Sequence, residues 1–247
     1  MPITVRDNTG VLAIVAAHNE AERIADTLAA LRRALPGVAL WVADDGSSDD
    51  TGAIAERAGA SVVRSERAAR AHSRDGWVRD GRVGKGGAVT DATRSALADV
   101  TAGEDPVVLL CDGDLGESAC ELAALVEPIR RGEADLAVAA FATRAGGGFG
   151  LALTFARWAI RRRCGLSTRA PISGQRAVRA GTLVDLLPFA PGFGMEIGMT
   201  IDAVRAGHRV VEIELDLTHR ATGRTPSGFA HRARQFVDFV RVYRARR

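Results

Sequence analysis

Asp112 and Asp114, in the stretch LLCDGDLGE, stand two residues apart behind an apolar run. At the end of a strand, residues i and i+2 point the same way, so the two carboxylates converge on one point. Such a pair suits a hard divalent cation, Mg2+ or Mn2+, that carries a diphosphate. A polar turn is the alternative, because Asp-Gly is common turn chemistry. VADDGSSDDT is a second acidic strand end. Its Asp44 and Asp45 are placed to accept from a ribose hydroxyl or a base N–H. Asp49 and Asp50, further on, suit N-capping of a following helix. Capping explains Asp44 and Asp45 less well, because they precede the turn.

Lys85, in GRVGKGGAV, is the only lysine; every other one of the 33 Lys and Arg residues is arginine. A compact ammonium on a flexible stem does different work from a guanidinium fork. The flanking glycines let backbone approach a ligand closely, and a helix start favours anions. The segment is not a P-loop. Arg79 stands where the first glycine of GxxxxGK[ST] belongs, and Gly86 follows the lysine. Nor does GxGxxG follow the first apolar run, which argues against a dinucleotide site.

Strands and helices must hold these groups. VLAIVAA (11–17), VALWVADDG (38–46), SVVRS (61–65), DPVVLLCDGD (105–114) and ADLAVAAFA (134–142) read as strands, most of them apolar on both faces. Helical periodicity fills the intervals, in AERIADTLAALRRAL, SSDDTGAIAERAGA, VGKGGAVTDATRSALADV and ESACELAALVEPIRRG. This alternation predicts an α/β fold with a parallel, doubly wound sheet. Its ligands bind beyond the carboxyl ends of the strands, where HNE, DDGSSDD and CDGD lie. Beyond residue 143 come a glycine-rich loop, RAGGGFG, and an arginine-ended helix, LALTFARWAIRRRCG. A short strand or helix in APISGQRAVRA, a helix in GFGMEIGMTIDAVRAG, the strand HRVVEIELDLTHR and a basic last helix follow. We read one domain over 1–247, with a nucleotide-binding half to about 142 and an acceptor-binding half from about 143.

The totals exclude several classes. Three cysteines without CxxC spacing suggest neither a disulfide framework nor a zinc ribbon. No signal peptide is evident, and no apolar run nears the roughly 20 residues of a membrane span. A cytoplasmic protein is expected. The net charge of +3 is small. Acidic strand ends, and no aromatic-basic interleaving on a sheet, argue against nucleic acid. Two helices do combine aromatics with arginines. One has Phe155, Trp158 and Ile160 beside Arg157, Arg161, Arg162 and Arg163; the last has Phe229, Phe236, Val240 and Tyr243. Such helices either rest on anionic lipid at the inner face of the membrane or pack on the domain with a solvated arginine face.

IVAAHNEAERI, WVADDGSSDDT, GKGGAV, LLCDGDLGE, ISGQRAV and GFGMEIG…THRATGRT occur in the order seen in family 2-type glycosyltransferases of the GT-A (Rossmann-like) fold. The resemblance covers roughly residues 11 to 225. It is similar in particular to polyprenyl-phosphate sugar transferases and glucosyl-3-phosphoglycerate synthases. It implies a divalent cation and a nucleotide-sugar donor, with UDP favoured over GDP, and is compatible with a homodimer. Ala16, His18, Asn19 and Glu20 are implied to line the nucleotide pocket, Asp44 and Asp45 to hold the nucleoside, and Lys85 to contact the nucleotide. Asp112 and Asp114 become the DxD pair, with Asp114 the direct metal ligand. His219 completes the metal site or is a surface histidine beside Arg220. Glu196 faces the acceptor: it is the base for a hydroxyl acceptor, an orienting group in a retaining enzyme, or ordinary first-turn helix chemistry. Gly147 and Gly148, with Arg176, Arg220 and Arg224, are expected to meet the acceptor. Phe149 follows Gly148 where a phosphoglycerate loop has arginine, so a lipid-linked or envelope-precursor acceptor is expected over a small phosphorylated one. A sugar nucleotidyltransferase would need a glycine- and arginine-rich loop after the first strand, and AAHNEAERI has none.

Overall fold

Val11–Ala17 (β1) is apolar at every position, and a strand of that kind is stable only when both faces are covered. The computed structural model describes residues 10–65, 84–141, 150–217 and 226–246, with side chains of the last helix from 235 onward. In it β1 lies inside a sheet with Ala39–Asp44 (β2), Ser61–Arg64 (β3), Val107–Asp112 (β4), Leu136–Phe141 (β5), Arg176–Arg179 (β6) and Val210–Leu215 (β7). The spatial order is β3-β2-β1-β4-β6-β5-β7. All pairings are parallel except those of β6, which runs antiparallel between β4 and β5. The strand-or-helix alternative for ISGQRAV thus resolves as a short antiparallel strand.

The helices are Ile24–Ala34 (α1), Thr51–Arg57 (α2), Lys85–Ala98 (α3), Ala123–Arg130 (α4), Gly150–Cys164 (α5), Leu183–Leu186 (α6), Met195–Arg205 (α7) and Pro226–Ala245 (α8). Because side chains alternate across a strand, β1 sends Val11, Ala13 and Val15 to one layer and Leu12 and Ile14 to the other. The first layer meets Leu28 and Leu31 of α1 and Leu125 and Ile129 of α4. The second meets Ala88, Val89 and Ala92 of α3 and Met195 and Met199 of α7. A smaller cluster joins α5, α7 and α8 through Ala156, Ile160, Ile197, Ile201, Phe239 and Val242.

One expected helix divides. ESACELAALVEPIRRG forms a 3-10 segment, Gly116–Leu122, before α4. Its start is fastened to α1 and Gly116 has φ 54°, outside the helical range. Asp50 makes no side-chain cap on α2. Asp49 does the capping, accepting from Thr51 N at 3.0 Å, and also takes Ala21 N at 3.2 Å.

Candidate active site

The register of the sheet sets the site. Ala16 lies level with Asp112, and Ala17 with Asp44. The carboxyl ends of β1, β2 and β4 therefore stop in one row. The chain leaves β1 toward β2 on one side and returns as β4 on the other, which is the switch point where such sheets bind ligands. The DGD turn is pinned from below. Gly113 N donates to Ala16 O at 2.9 Å. The fully buried Thr27 of α1 donates to Gly113 O at 2.8 Å and accepts from Gly116 N at 2.8 Å. Arg23 donates to Asp114 O at 3.1 Å. A side chain on Gly113 would stand 3.2 Å from Ala16 O and from Ile24 Cδ1, so only glycine fits without displacement.

Lys85 opens α3 behind Gly84, whose φ of 73° suits glycine. Its Nζ lies 2.6 Å from Asp112 Oδ1 and 2.9 Å from Glu196 Oε1. Burial works against its charge, but Asp112 and Glu196 outweigh it and hold the ammonium pKa well above the usual lysine value. Gln175 Nε2 donates to the other oxygen, Asp112 Oδ2, at 2.9 Å. The glycines around the lysine now have separate reasons. A Cβ on Gly86 would lie 1.9 Å from Ala190 O, and one on Gly174 would lie 2.5 Å from Lys85 Nζ. The first lets α3 lie against the loop before α7; the second leaves room for the ammonium.

Glu196 is in the first turn of α7 and 5% exposed. Behind it lies Arg176, 0% exposed, which donates from Nε to Ser173 O at 2.8 Å and from Nη1 to Thr200 Oγ1 at 3.0 Å. Thr200 in turn donates to Glu196 O at 3.0 Å. Burial pulls the Arg176 pKa down to about 10, against the opposing charges of Glu196 and Glu212. This corrects one expectation. Arg176 is interior, not at the cleft surface, because β6 runs between two buried strands. Charges alternate inward from the cleft: Asp112, Lys85, Glu196, Arg176.

Asp44 and Asp45 are 3% and 4% exposed. Asp44 accepts from Ser47 N at 2.8 Å, and Asp45 accepts from Gly84 N at 3.1 Å. Asp45 thereby ties the β2 end to the start of α3, one residue from Lys85. His18, Asn19 and Glu20 leave β1 in a loop locked to that same β2 end. Asn19 has φ 57°; its N donates to Ser47 Oγ at 3.0 Å, and its Oδ1 accepts from Ser48 N at 2.8 Å. Glu20 N donates to Thr51 Oγ1 at 2.8 Å. His18 Nδ1 is buried without a hydrogen-bond partner among the described residues. Cys111, beside Asp112, has its thiol pKa pushed up, by burial first.

The structure thus gathers Ala16, Asp112, Lys85 and Glu196, with Asp114 two residues beyond Asp112. Gly147, Gly148, His219, Arg220 and Arg224 lie outside the described residues. Among the described residues no three His, Cys, Asp or Glu side chains form a cage for a metal ion. A divalent ion that travels with a diphosphate needs no such cage, since one or two carboxylates and the phosphates suffice. Asp114 fits it as a ligand, on a backbone pinned by Arg23 and Thr27. Asp112 fits less well, because Lys85 and Gln175 already engage both its oxygens. Thr27, Arg23, Gly174 and Gln175 escaped the sequence reading. Gln175 sat inside a quoted motif, but Thr27 gives no local signal.

The profile of glycosyl transferase family 2 matches residues 12–174. The chain belongs to that family. This glycosyltransferase is 32% identical over 224 residues to the undecaprenyl-phosphate mannosyltransferase of Micrococcus luteus, covering 86% of this chain and 85% of that one. It is 27% identical over 238 residues to the polyprenol monophosphomannose synthase of Mycolicibacterium smegmatis, covering 90% and 82%. Among solved structures it resembles glucosyl-3-phosphoglycerate synthase from Mycobacterium tuberculosis in complex with Mn2+, UDP and glucosyl-3-phosphoglycerate. There the TM-score is 0.74 at 26% identity, over 98% of this chain and 81% of that one. The fold is GT-A, as the motif order implied.

Proposed function

We propose that this glycosyltransferase moves a sugar from a nucleoside-diphosphate sugar, a UDP-sugar over a GDP-sugar, to a lipid-linked phosphate acceptor at the cell envelope, with Mg2+ or Mn2+. The observation that carries the reading is Lys85 held between Asp112 and Glu196 at the row of strand ends. The relatives named for undecaprenyl phosphate and polyprenol support the acceptor class. The solved neighbours with UDP and Mn2+ support the donor and the ion.

When bound, the ion supplies positive charge to the leaving diphosphate, and Asp114 would hold it. Ala16, His18, Asn19 and Glu20, with Asp44 and Asp45, form the nucleoside wall. Asn19 fixes that wall through Ser47 and Ser48. Negative charge grows on the β-phosphate as the anomeric bond breaks. Lys85, kept charged by its two carboxylates, is a preorganised cation beside that charge. A phosphate acceptor arrives ionised, so no proton need be removed. Glu196 then acts by holding Lys85 in place, and Arg176 by offsetting the buried charge of Glu196. For a hydroxyl acceptor, Glu196 is instead the base.

The test is product analysis with labelled UDP- and GDP-sugars and Mn2+, offering polyprenyl phosphate or 3-phosphoglycerate. Transfer to the lipid supports the reading. Transfer to 3-phosphoglycerate alone replaces the acceptor, and no transfer from any nucleotide sugar overturns the whole.

A further inference from the structure

The outer faces of α5 and α8 carry apolar and basic groups that stay partly open to solvent. Toward the interior, the two helices are anchored on Ile197 and Ile201 of α7. At the outer seam Phe155, Trp158, Phe236 and Tyr243 gather, with ring centroids 5.0 Å apart for Phe155–Phe236 and 4.9 Å for Trp158–Tyr243. The cluster stays open to solvent: Trp158 is 49% exposed and Phe236 39%. Leu151, one turn before Phe155, is 86% exposed. Leu151, Phe155, Trp158 and Arg162 fall at i, i+4, i+7 and i+11, a single helical stripe. The α5 sequence has four arginines, at 157, 161, 162 and 163, and no acidic residue. Arg163 stacks on the Tyr243 ring at 3.7 Å from its centroid.

We infer that this face docks on an anionic phospholipid bilayer. Leucine and tryptophan on one stripe supply the apolar insertion, tyrosine and tryptophan the interfacial anchors, and the arginines the attraction to lipid phosphate. The position also fits the chemistry. α8 reaches the turn that enters α7, where Phe193 N donates to Asp238 Oδ2 at 3.3 Å. The docking face is thus one helix away from Glu196 and Lys85. The inference deepens the lipid-linked-acceptor reading and rests on it for purpose.

The full chain is sedimented with phosphatidylcholine vesicles, with and without phosphatidylglycerol, at low and high salt. Binding is expected only to the anionic vesicles, weakening with salt. Arg161→Glu/Arg162→Glu is expected to lower the partition coefficient by at least about twenty-fivefold, since each of the two arginines lost from such a surface is worth roughly fivefold. Leu151→Ser/Trp158→Ser is expected to lower it by roughly tenfold or more from lost apolar burial. Both variants alter exposed residues outside the cleft, so thermal stabilisation by UDP-sugar with Mn2+ is expected to stay as in the wild type. Equal sedimentation with neutral and anionic vesicles overturns the inference, as does wild-type partitioning by either variant. Absent donor stabilisation in the wild type would count against the function and leave the vesicle result to be read on its own.

Discussion

Replacing Gly174 by alanine should damage the reaction while sparing the fold. The backbone there is outside the left-handed region, so alanine brings no conformational strain. Its Cβ would sit 2.5 Å from Lys85 Nζ and 2.9 Å from Asp112 Oδ2, whereas ordinary contact begins at 3.4 Å. The ammonium must therefore retreat by 3.4 minus 2.5, about 0.9 Å. The end of a lysine moves cheaply, and alanine restricts the unfolded chain by about 0.4–1 kcal/mol in its favour. Net stability should change by less than about 1 kcal/mol, a melting shift within about 4 °C for a chain of this size. A misplacement near 1 Å, by contrast, can cost about a hundredfold in rate. The assay is kcat/KM for sugar transfer beside the melting temperature. A variant with wild-type kcat/KM would refute the assignment of Lys85 to the leaving diphosphate. A variant that fails to fold would show the glycine to be needed for packing instead.

Three further changes test neighbouring parts. Lys85→Met leaves Asp112 and Glu196 without their shared cation. Urea denaturation should show a loss of about 2–3 kcal/mol, below the 3–5 of a fully buried broken pair because Asp112 is partly exposed. Adding Glu196→Gln should recover stability but not donor affinity, a coupling that a double-mutant cycle measures. Gly86→Ala drives a Cβ to 1.9 Å from the backbone oxygen of Ala190, which cannot swing aside. It should destabilise by at least about 2 kcal/mol in the same assay, from overpacking. At the far end of the sheet, hydrogen bonds from Arg209 hold the Asp135 carboxyl pKa down to about 2. A depressed folded-state pKa means that the unfolded chain binds the proton first as pH falls. The stabilisation is full above the ordinary aspartate value of 3.8 and is lost on descent toward about 2. Asp135→Asn should cost about 1 kcal/mol at neutral pH after solvent screening, and should flatten the stability profile below pH ~4.

Much of the central sheet could be read from its strands, because β1, β4 and β5 are apolar without interruption and nothing but a doubly covered sheet suits them. The place of Asp112 at the cleft was legible for the same reason, since it ends such a strand. β6 was not, since four residues give no period and its direction depends on a crossover. The partnership of Lys85 with Glu196 was equally hidden. Each residue was noticed, but no local pattern joins the start of α3 to the start of α7. Arg176 was misread. In a chain that uses arginine for nearly every cation, residue type cannot distinguish an interior guanidinium from one that meets a ligand; only its place between β4 and β5 does.

The central claim is that Asp114 and its neighbours bind a nucleotide sugar together with a divalent ion. Thermal unfolding of the wild type and of Asp114→Asn, with UDP-sugar in the presence and absence of Mn2+, tests it most directly. For the wild type, ligand at about 100 times its dissociation constant should add about 2.7 kcal/mol, only with the ion present. In Asp114→Asn that increment should vanish while the ligand-free melting temperature holds. Equal stabilisation of the two proteins, or none by any nucleotide sugar, would contradict the account.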